Sequence, residues 1–195
     1  IWTDIPAFTS IVGVGFYDTT DYLFTQGGSG HLDLENCHFN DSGGLAWFEI
    51  ALTQVNVIDC LADGDGWTYG FYVNAYSNFR GGLFFNEDTN ADYVLYIQGS
   101  GVRSENCILR MGSATTPAAV VHVNNQDHQE FVHNTIIGGD SATSGNSGIR
   151  VISNSRDYMV IQNNVIARCN NTAANGLGID TILLTTHAIG GNLFW

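Results

Sequence analysis

A sixteen-residue offset recurs along this chain and constrains its fold more than any other feature. In the stretch Gly148 to Ile166, Gly148 precedes Asn164 by sixteen positions, with two apolar runs and a polar corner between them. No 3.6-residue period persists, so the stretch predicts short strands and a tight turn, not a helix. The same offset from a small or polar residue marks seven positions: Cys37, Cys60, Asn86, Cys107, Thr135, Asn164 and Asn192. Val14 is a candidate eighth marker.

Apolar residues keep fixed places around these markers. Three residues before them stand Leu34, Val57, Leu83, Ser104, Val132, Ile161 and Ile189. Two residues after them stand Phe39, Ala62, Asp88, Leu109, Ile137, Ile166 and Phe194. Earlier in the unit a further column reads Phe24, Trp47, Val73, Val94, His122, Val151 and Ile179. The markers are 21 to 29 residues apart, which is a solenoid period.

A single unit of this kind cannot fold alone. Two or three strands of four or five residues bury too little apolar area to offset the ordering of roughly 25 residues, at about 1–2 kcal/mol each. Stacking solves the problem, because each coil covers the next and the columns become continuous ladders. Small Cys, Asn and Thr residues suit an interior turn ladder. The pattern therefore predicts an all-β, right-handed, single-stranded parallel β-helix of about seven to eight coils.

Four phrases carry a family resemblance. LENCHF (34–39), VHNTII (132–137), IQNNVI (161–166) and IGGNLF (189–194) resemble the turn-and-strand consensus of right-handed parallel β-helix proteins, which include pectate lyases, polygalacturonases and phage tailspikes. The resemblance covers about residues 11 to 195. It implies a fold but no particular activity, because enzymes and non-enzymes share this packing pattern.

One domain is expected over residues 1–195, with an incomplete first coil at 1–20 and regular coils over 21–195. Neither end shows the helix or polar cap that shields the end coils of a solenoid. We therefore expect a segment of a longer chain, a mature fragment or one partner of an end-to-end assembly.

The charge of the chain limits its partners. Six Arg and no Lys face nineteen acidic residues, for a net charge of −13. Nucleic acid and anionic membranes bind basic clusters, so neither is an expected partner. No apolar run reaches the eighteen residues of a membrane span. An acidic solvated surface explains the charge, and attraction of divalent cations or of a cationic partner is the alternative.

The cysteines are predicted to lie mostly inside the stack. Cys37, Cys60 and Cys107 share the marker column, so buried free thiols are expected. A Cys37–Cys60 disulfide across adjacent coils is the alternative. Cys169 falls in a loop.

The richest loop reads ADGDGWTYG (62–70). Its Asp63 and Asp65 resemble part of a calcium loop, but the remaining oxygen ligands are missing. Trp67 and Tyr69 are candidates for stacking on a sugar ring. A plain Gly-Asp turn is the alternative, and no cofactor other than Ca²⁺ is suggested.

An enzyme of this family would need clustered functional groups. Pectate-lyase-like proteins use Ca²⁺-binding carboxylates and a basic residue, and here Arg150 is expected to face outward, with Asp180 displaced by two residues from the equivalent position. Tailspike-like glycosidases use carboxylates on several coils, and a pair on adjacent coils, roughly 5 Å apart, suits a retaining mechanism. The loose candidates are Asp59, Glu87, Glu105 and Glu130, each also explained as a solvated strand charge. His122 is expected in the core, and no catalytic residue is assigned.

Three adjacent aromatic pairs, Trp47-Phe48, Phe71-Tyr72 and Phe84-Phe85, must each turn one ring outward. Such rings favour a subunit interface, as in a side-by-side homotrimer, or a glycan platform.

The sequence thus favours a non-catalytic structural or attachment module on a virion or extracellular surface, of the spike, fibre or capsid-decoration type. Its expected partners are its own copies, other surface proteins or a cell-surface polysaccharide. One alternative is a polysaccharide lyase or glycoside hydrolase. The other is an adhesin or filament subunit that stacks end to end.

Overall fold

Strands and tight turns make up the described part of this protein, as a computed structural model shows. The structure describes residues 8–17, 24–27, 30–41, 44–51, 54–64, 67–73, 76–87, 93–112, 119–124, 127–139, 147–152, 158–169, 178–181 and 187–195. Within these ranges there is no helix with the length and apolar character that a membrane crossing requires.

The strands follow one another in short, regular alternation. The first twelve are β1 Phe8–Val12, β2 Gly15–Tyr17, β3 Phe24–Gly27, β4 His31–Glu35, β5 His38–Asp41, β6 Gly44–Ala51, β7 Gln54–Ile58, β8 Leu61–Gly64, β9 Trp67–Val73, β10 Tyr76–Arg80, β11 Leu83–Asn86 and β12 Tyr93–Ile97. The others are β13 Val102–Glu105, β14 Ile108–Met111, β15 Ala119–Asn124, β16 Gln129–Val132, β17 Thr135–Ile137, β18 Ser147–Ile152, β19 Met159–Gln162, β20 Val165–Ala167, β21 Ile179–Thr181, β22 His187–Gly190 and β23 Leu193–Phe194.

Every third strand joins the same sheet, and all neighbours are parallel. In the described part of the chain, sheet A contains β3, β6, β9, β12, β15, β18 and β21. Sheet B contains β1, β4, β7, β10, β13, β16, β19 and β22, and sheet C contains β2, β5, β8, β11, β14, β17, β20 and β23. The chain therefore winds from sheet to sheet, and each coil adds one strand to each of the three sheets. The predicted parallel β-helix is confirmed.

The turn ladder differs from the predicted one at two coils. The strand register places Val14, Cys37, Cys60, Gly82, Cys107, Asn134, Asn164 and Asn192 in one column, just before the strands of sheet C. Asn86 is not a member, because it ends β11 and pairs with Met111. Thr135 is not a member either, because it begins β17 one residue later. The column spacing is thus 22 to 30 residues, against the predicted 21 to 29.

Glycine explains the error at residue 82. Gly82 is buried, and a Cβ added to it would clash with the Phe84 ring, which fills the interior at this coil. With the register corrected, the column three residues before the ladder gains Phe79 and Phe131 in place of Leu83 and Val132. The column two residues after the ladder gains Phe84 and Ile136 in place of Asp88 and Ile137. The second of these columns is therefore apolar throughout.

A left-handed residue precedes every member of the turn ladder. These residues have φ between 51° and 69°: Gly13, Asn36, Asp59, Gly81, Asn106, His133, Asn163 and Gly191. A single residue of this kind turns the chain sharply from sheet B to sheet C, and Gly, Asn and Asp adopt it at the lowest cost. This turn fixes the register of both sheets on every coil.

The core is a single column of side chains enclosed by the three sheets. Its largest fully buried members are Phe39, Phe71, Phe79, Phe84, Phe131, Leu32 and Leu34. The sheet A contribution differs from the predicted column. Pairing from coil to coil forms one row: Phe24, Phe48, Phe71, Leu95, Val121, Ile149 and Ile179. The row does not include five residues of the predicted column: Trp47, Val73, Val94, His122 and Val151.

Candidate functional site

The outer face of sheet A carries a ladder of aromatic and charged side chains. Register pairs Tyr72 with Tyr96, Tyr96 with His122, His122 with Arg150, and Arg150 with Asp180. We call these five residues the sheet A ladder. They alternate with buried interior residues along their strands, which turns them away from the core. The prediction that His122 is a core residue is wrong: it is only 5% exposed, but it lies on the outer face.

Ring stacking orders the upper part of the ladder. The Tyr72 and Tyr96 rings stack with centroids 5.0 Å apart, and Tyr96 stacks on His122 at 5.0 Å with an interplanar angle of 9°. Tyr93 closes the side of the stack, with its ring 4.5 Å from the imidazole. The β-helix brings these rings together because strand neighbours are spaced by about 4.8 Å.

Amide groups fix the hydroxyl of Tyr96. The side-chain amides of Gln98 and Asn124 each donate a hydrogen bond of 3.0 Å to this oxygen.

His122 is held neutral. Burial, with the nearby Arg150 guanidinium as a second cause, lowers the pKa of its imidazole to about 4. Its Nδ1 atom is buried and has no hydrogen-bond partner in the described part of the structure. A neutral imidazole sandwiched between tyrosine rings serves as a stacking surface, and it is poorly placed to exchange protons with a substrate.

The lower end of the ladder is an ion pair. Arg150 Nε lies 3.1 Å from Asp180 Oδ2, and both side chains are partly buried. The predicted two-residue displacement of Asp180 is wrong, since the two residues are direct strand neighbours. Their mutual pairing occupies the groups that a pectate-lyase-like reaction would require to be free.

The outer face of sheet B carries a second, polar ladder. Asp33 Oδ1 lies 2.7 Å from His31 Nε2 and accepts a 2.7 Å hydrogen bond from the Asn56 amide. Asn78 in turn donates to Asn56 Oδ1 at 2.8 Å. On the following coil Arg103 takes the corresponding place.

Arg103 joins two of the predicted carboxylates. Its guanidinium lies 3.2 Å from Glu105 and 3.2 Å from Glu130, which stand on adjacent coils. The other two are elsewhere: Asp59 forms a left-handed turn between sheets B and C, and Glu87 pairs with Arg110 at 3.2 Å beyond sheet C. The four candidates therefore do not form one site.

The predicted 62–70 loop is largely strand. Asp63 lies in β8, exposed on the outer face of sheet C, whereas Trp67 and Tyr69 lie in β9 of sheet A. Asp65 and the side chains of the two aromatic residues lie outside the part that the structure describes. Calcium at Asp63 and Asp65, and sugar contact at Trp67 and Tyr69, stay predictions. Across the described ranges, no three His, Cys, Asp or Glu side chains are grouped to hold a metal ion.

The four cysteines are free thiols, and burial raises the pKa of three of them. Cys37, Cys60 and Cys107 are buried and Cys169 is half-buried. Burial raises the pKa of Cys60 to about 12 and that of Cys169 to about 11. Burial also raises the pKa of Cys107, so the nucleophilic thiolate is disfavoured at neutral pH.

Sequence reasoning identified Tyr72 only as one ring of an adjacent aromatic pair, and it missed Tyr96, Asn56 and Asn78. The signal was present as alternation, since Tyr72 stands between buried Phe71 and Val73, and Asn78 between buried Ser77 and Phe79. Recognising this alternation required the correct register. The marker placed at Asn86 shifted the register on that coil. Searches of protein-family models, curated proteins and solved structures found no match to this chain.

Proposed function

We propose that this protein is a non-catalytic attachment module of a virion or extracellular surface, of the spike, fibre or capsid-decoration type, which contacts a glycan through its outer faces. The resemblance of its turns to those of tailspike-like β-helices supports this assignment. The observation that carries it is the sheet A ladder, in which potentially reactive groups are engaged with one another.

The ladder is suited to recognition because its groups are fixed before a ligand arrives. Tyr96 is held by two amides, Arg150 by Asp180, and His122 by the rings beside it. Binding to such a surface loses little side-chain entropy. Tyrosine also offers an apolar ring and a polar hydroxyl to the same ligand.

Binding without turnover is the result that tests the proposal. The protein should bind at least one member of an immobilised polysaccharide panel and release neither reducing nor unsaturated ends during prolonged incubation. Tyr72→Ala should weaken binding about tenfold, the loss of one well-placed aromatic contact. Tyr17→Ala is the matched control, because Tyr17 is an exposed tyrosine of sheet C. Release of sugar ends by the wild-type protein would overturn the proposal.

A polysaccharide lyase or glycoside hydrolase is the second candidate, and one observation favours it. Glu105 and Glu130 stand on adjacent coils and share the Arg103 guanidinium. Two carboxylates that lie close together suit a retaining glycosidase. If sugar ends are released, Glu105→Gln and Glu130→Gln should each abolish the release, and Glu87→Gln should not.

Association of identical chains side by side, as a homotrimer, belongs to the same proposal. Sheet C turns a mostly apolar row of side chains outward: Leu61, Leu83, Ile108, Thr135, Val165 and Leu193. The same row of a second copy can lie along its length. Mass photometry at micromolar concentration should show trimers, and Leu83→Lys should shift them to monomers. Only monomers in the wild type would exclude side-by-side association, and long fibres in negative stain would favour the end-to-end filament subunit.

A further inference from the structure

Two cysteine thiols adjoin on the early coils of the turn ladder. Cys37 and Cys60 occupy the ladder position on consecutive coils, and each is 2% exposed. They are the one pair of neighbouring ladder members in the described structure that both carry sulfur, because Val14 and Gly82 occupy the ladder on either side of them. The interior of the stack therefore holds two sulfur atoms on adjacent coils.

The two thiols have the same orientation. Each points to the carbonyl two residues before it, at 3.4 Å from Cys37 Sγ and 3.3 Å from Cys60 Sγ. Each also points to a carbonyl of the preceding coil, Cys37 to Ile11 at 3.4 Å and Cys60 to Leu34 at 3.5 Å. Because the same contacts repeat from one coil to the next, the two sulfur atoms are separated by one strand spacing, which is about 4.8 Å.

This separation matches that of two sulfur ligands on opposite sides of one metal ion. A metal–thiolate bond is about 2.3 Å long, so the two sulfurs of a linear site are about 4.6 Å apart. Thiolates select soft ions such as Cu⁺, and a monovalent ion of this kind accepts two sulfurs in line. Zn²⁺ fits less well, because it takes four ligands and the described residues group no third His, Cys, Asp or Glu side chain with the two thiols.

The electrostatics of the pair favour a cation between the sulfurs. Burial raises the pKa of the Cys60 thiol to about 12, and negative charge on Cys37 raises it as well. Two thiolates at this distance therefore repel each other, and a cation between them replaces the repulsion by attraction. The Cys37 N–H lies 3.4 Å from Cys60 Sγ, where it can donate to a bound thiolate and support it.

We propose that Cys37 and Cys60 bind one soft monovalent metal ion as two thiolate ligands in line, with Cu⁺ as the probe. Binding releases one proton from each thiol, and the ion with its two thiolates carries a single negative charge. Both cysteines directly follow exposed left-handed turn residues, Asn36 and Asp59, so local opening of one turn gives the ion access. The site is interior, and it does not depend on the polysaccharide contact proposed for the outer faces.

Competition with the Cu⁺ chelator bathocuproine disulfonate tests the site, without oxygen and with ascorbate as the reductant. The wild-type protein should retain one equivalent of Cu⁺, and X-ray absorption should show two sulfur neighbours. Cys37→Ser and Cys60→Ser should each lower the affinity at least about 100-fold, because loss of a direct ligand costs more than loss of a supporting hydrogen bond.

Cys107→Ser is the matched control. Cys107 occupies the same ladder position and points to the carbonyl two residues before it at 3.4 Å, but its neighbours in the ladder are Gly82 and Asn134. Since Cys107 lies two coils from Cys60, its loss should leave the Cu⁺ affinity within about twofold.

Stability gives a second readout that needs no chelator. Cu⁺ should raise the denaturation midpoint of the wild type and of Cys107→Ser, but not that of Cys37→Ser or Cys60→Ser, because an ion that binds only the folded protein stabilises it. Circular dichroism of the metal-free variants checks that they fold, and the sulfur count of the wild type decides if a serine variant does not.

Three results would each overturn the proposal: no retention of Cu⁺ against the chelator, equal losses in Cys60→Ser and Cys107→Ser, or a sulfur count other than two. None of them bears on polysaccharide contact at sheet A, which Tyr72→Ala probes separately.

Discussion

The two halves of the turn ladder solve the same packing problem with different atoms. In the early coils the interior position is a thiol, at Cys37 and Cys60, and in the late coils it is an amide, at Asn134, Asn164 and Asn192. The Cys37 N–H reaches the Cys60 sulfur at 3.4 Å, and that thiol points to the Leu34 carbonyl at 3.5 Å.

The amide half makes the same two contacts at shorter range. The Asn134 N–H donates to Asn164 Oδ1 at 2.9 Å, and Asn164 Nδ2 donates to the Phe131 carbonyl at 2.9 Å. Leu34 and Phe131 each stand three residues before the ladder member of their coil, so the contacts are equivalent. On these coils the position therefore holds a small group that accepts a hydrogen bond from one coil and donates one back to it. Asparagine does this with full hydrogen bonds, and cysteine with weak ones.

The largest expected effect is in the amide half. Asn164→Ala leaves the buried Asn134 N–H without its partner and removes the side-chain hydrogen bond to the Phe131 carbonyl. One unsatisfied buried donor and one further lost hydrogen bond should lower the free energy of unfolding by about 3 kcal/mol. Denaturant unfolding measures the change, and Asn40→Ala on the exposed face of sheet C is the control. A loss no greater than that of the control would show that the amide bonds do not stabilise the stack.

This ladder also shows how far the sequence could be interpreted. The repeat period and the apolar columns were sufficient to predict the fold. The positions of Cys37, Asn164 and Ile161 have equivalents on the other coils, although the loops between them differ in length. Register failed at Gly82, where the interior side chain is supplied by Phe84. Adjacent apolar residues, such as Val120 and Val121, hid which side of sheet A faces out, since both are buried. A left-handed residue directly precedes each ladder member, so these residues mark the correct register. The binding face could not be predicted until that register was known.

The pH dependence of stability distinguishes the outer face of sheet A from the interior column. The pKa of His122 is about 4 in the folded protein, against an ordinary 6.5 in the unfolded chain. Between these values the unfolded chain binds a proton that the folded protein does not, so stability should fall as the pH drops from 6.5 to about 4. The loss should reach up to about 3 kcal/mol.

His122→Phe isolates this contribution. The phenyl ring keeps the stack on Tyr96 but does not titrate. Unfolding free energies measured from pH 7 to pH 4 should therefore depend less on pH in the variant than in the wild type. Parallel curves would place the acid sensitivity in the carboxylates, and the outer ladder would then contribute nothing to it.

In the thiol half, removal should cost less. Cys60→Ala deletes a sulfur that makes only weak hydrogen bonds and leaves a small cavity. The free energy of unfolding should fall by about 1–2 kcal/mol, roughly half the loss at Asn164. Thermal and denaturant unfolding of the two variants, measured side by side, make the comparison. Equal losses would mean that packing volume, not hydrogen bonding, sets the requirement at this position.

The exchange Cys60→Asn is the smallest expected effect and the sharpest test. If the two halves share one geometry, the new amide oxygen meets the Cys37 N–H, and the new amide nitrogen meets the Leu34 carbonyl, as Asn164 meets Asn134 and Phe131. The gain of two full hydrogen bonds then offsets the added volume, and the free energy of unfolding should change by less than about 1 kcal/mol. An overpacked core would instead lose about 1–3 kcal/mol, because interiors do not absorb extra atoms freely. Phe39 and Ala62, which flank the ladder on sheet C, would then limit its early coils to sulfur, and the choice of thiol or amide would follow from the neighbouring column and not from the turn itself.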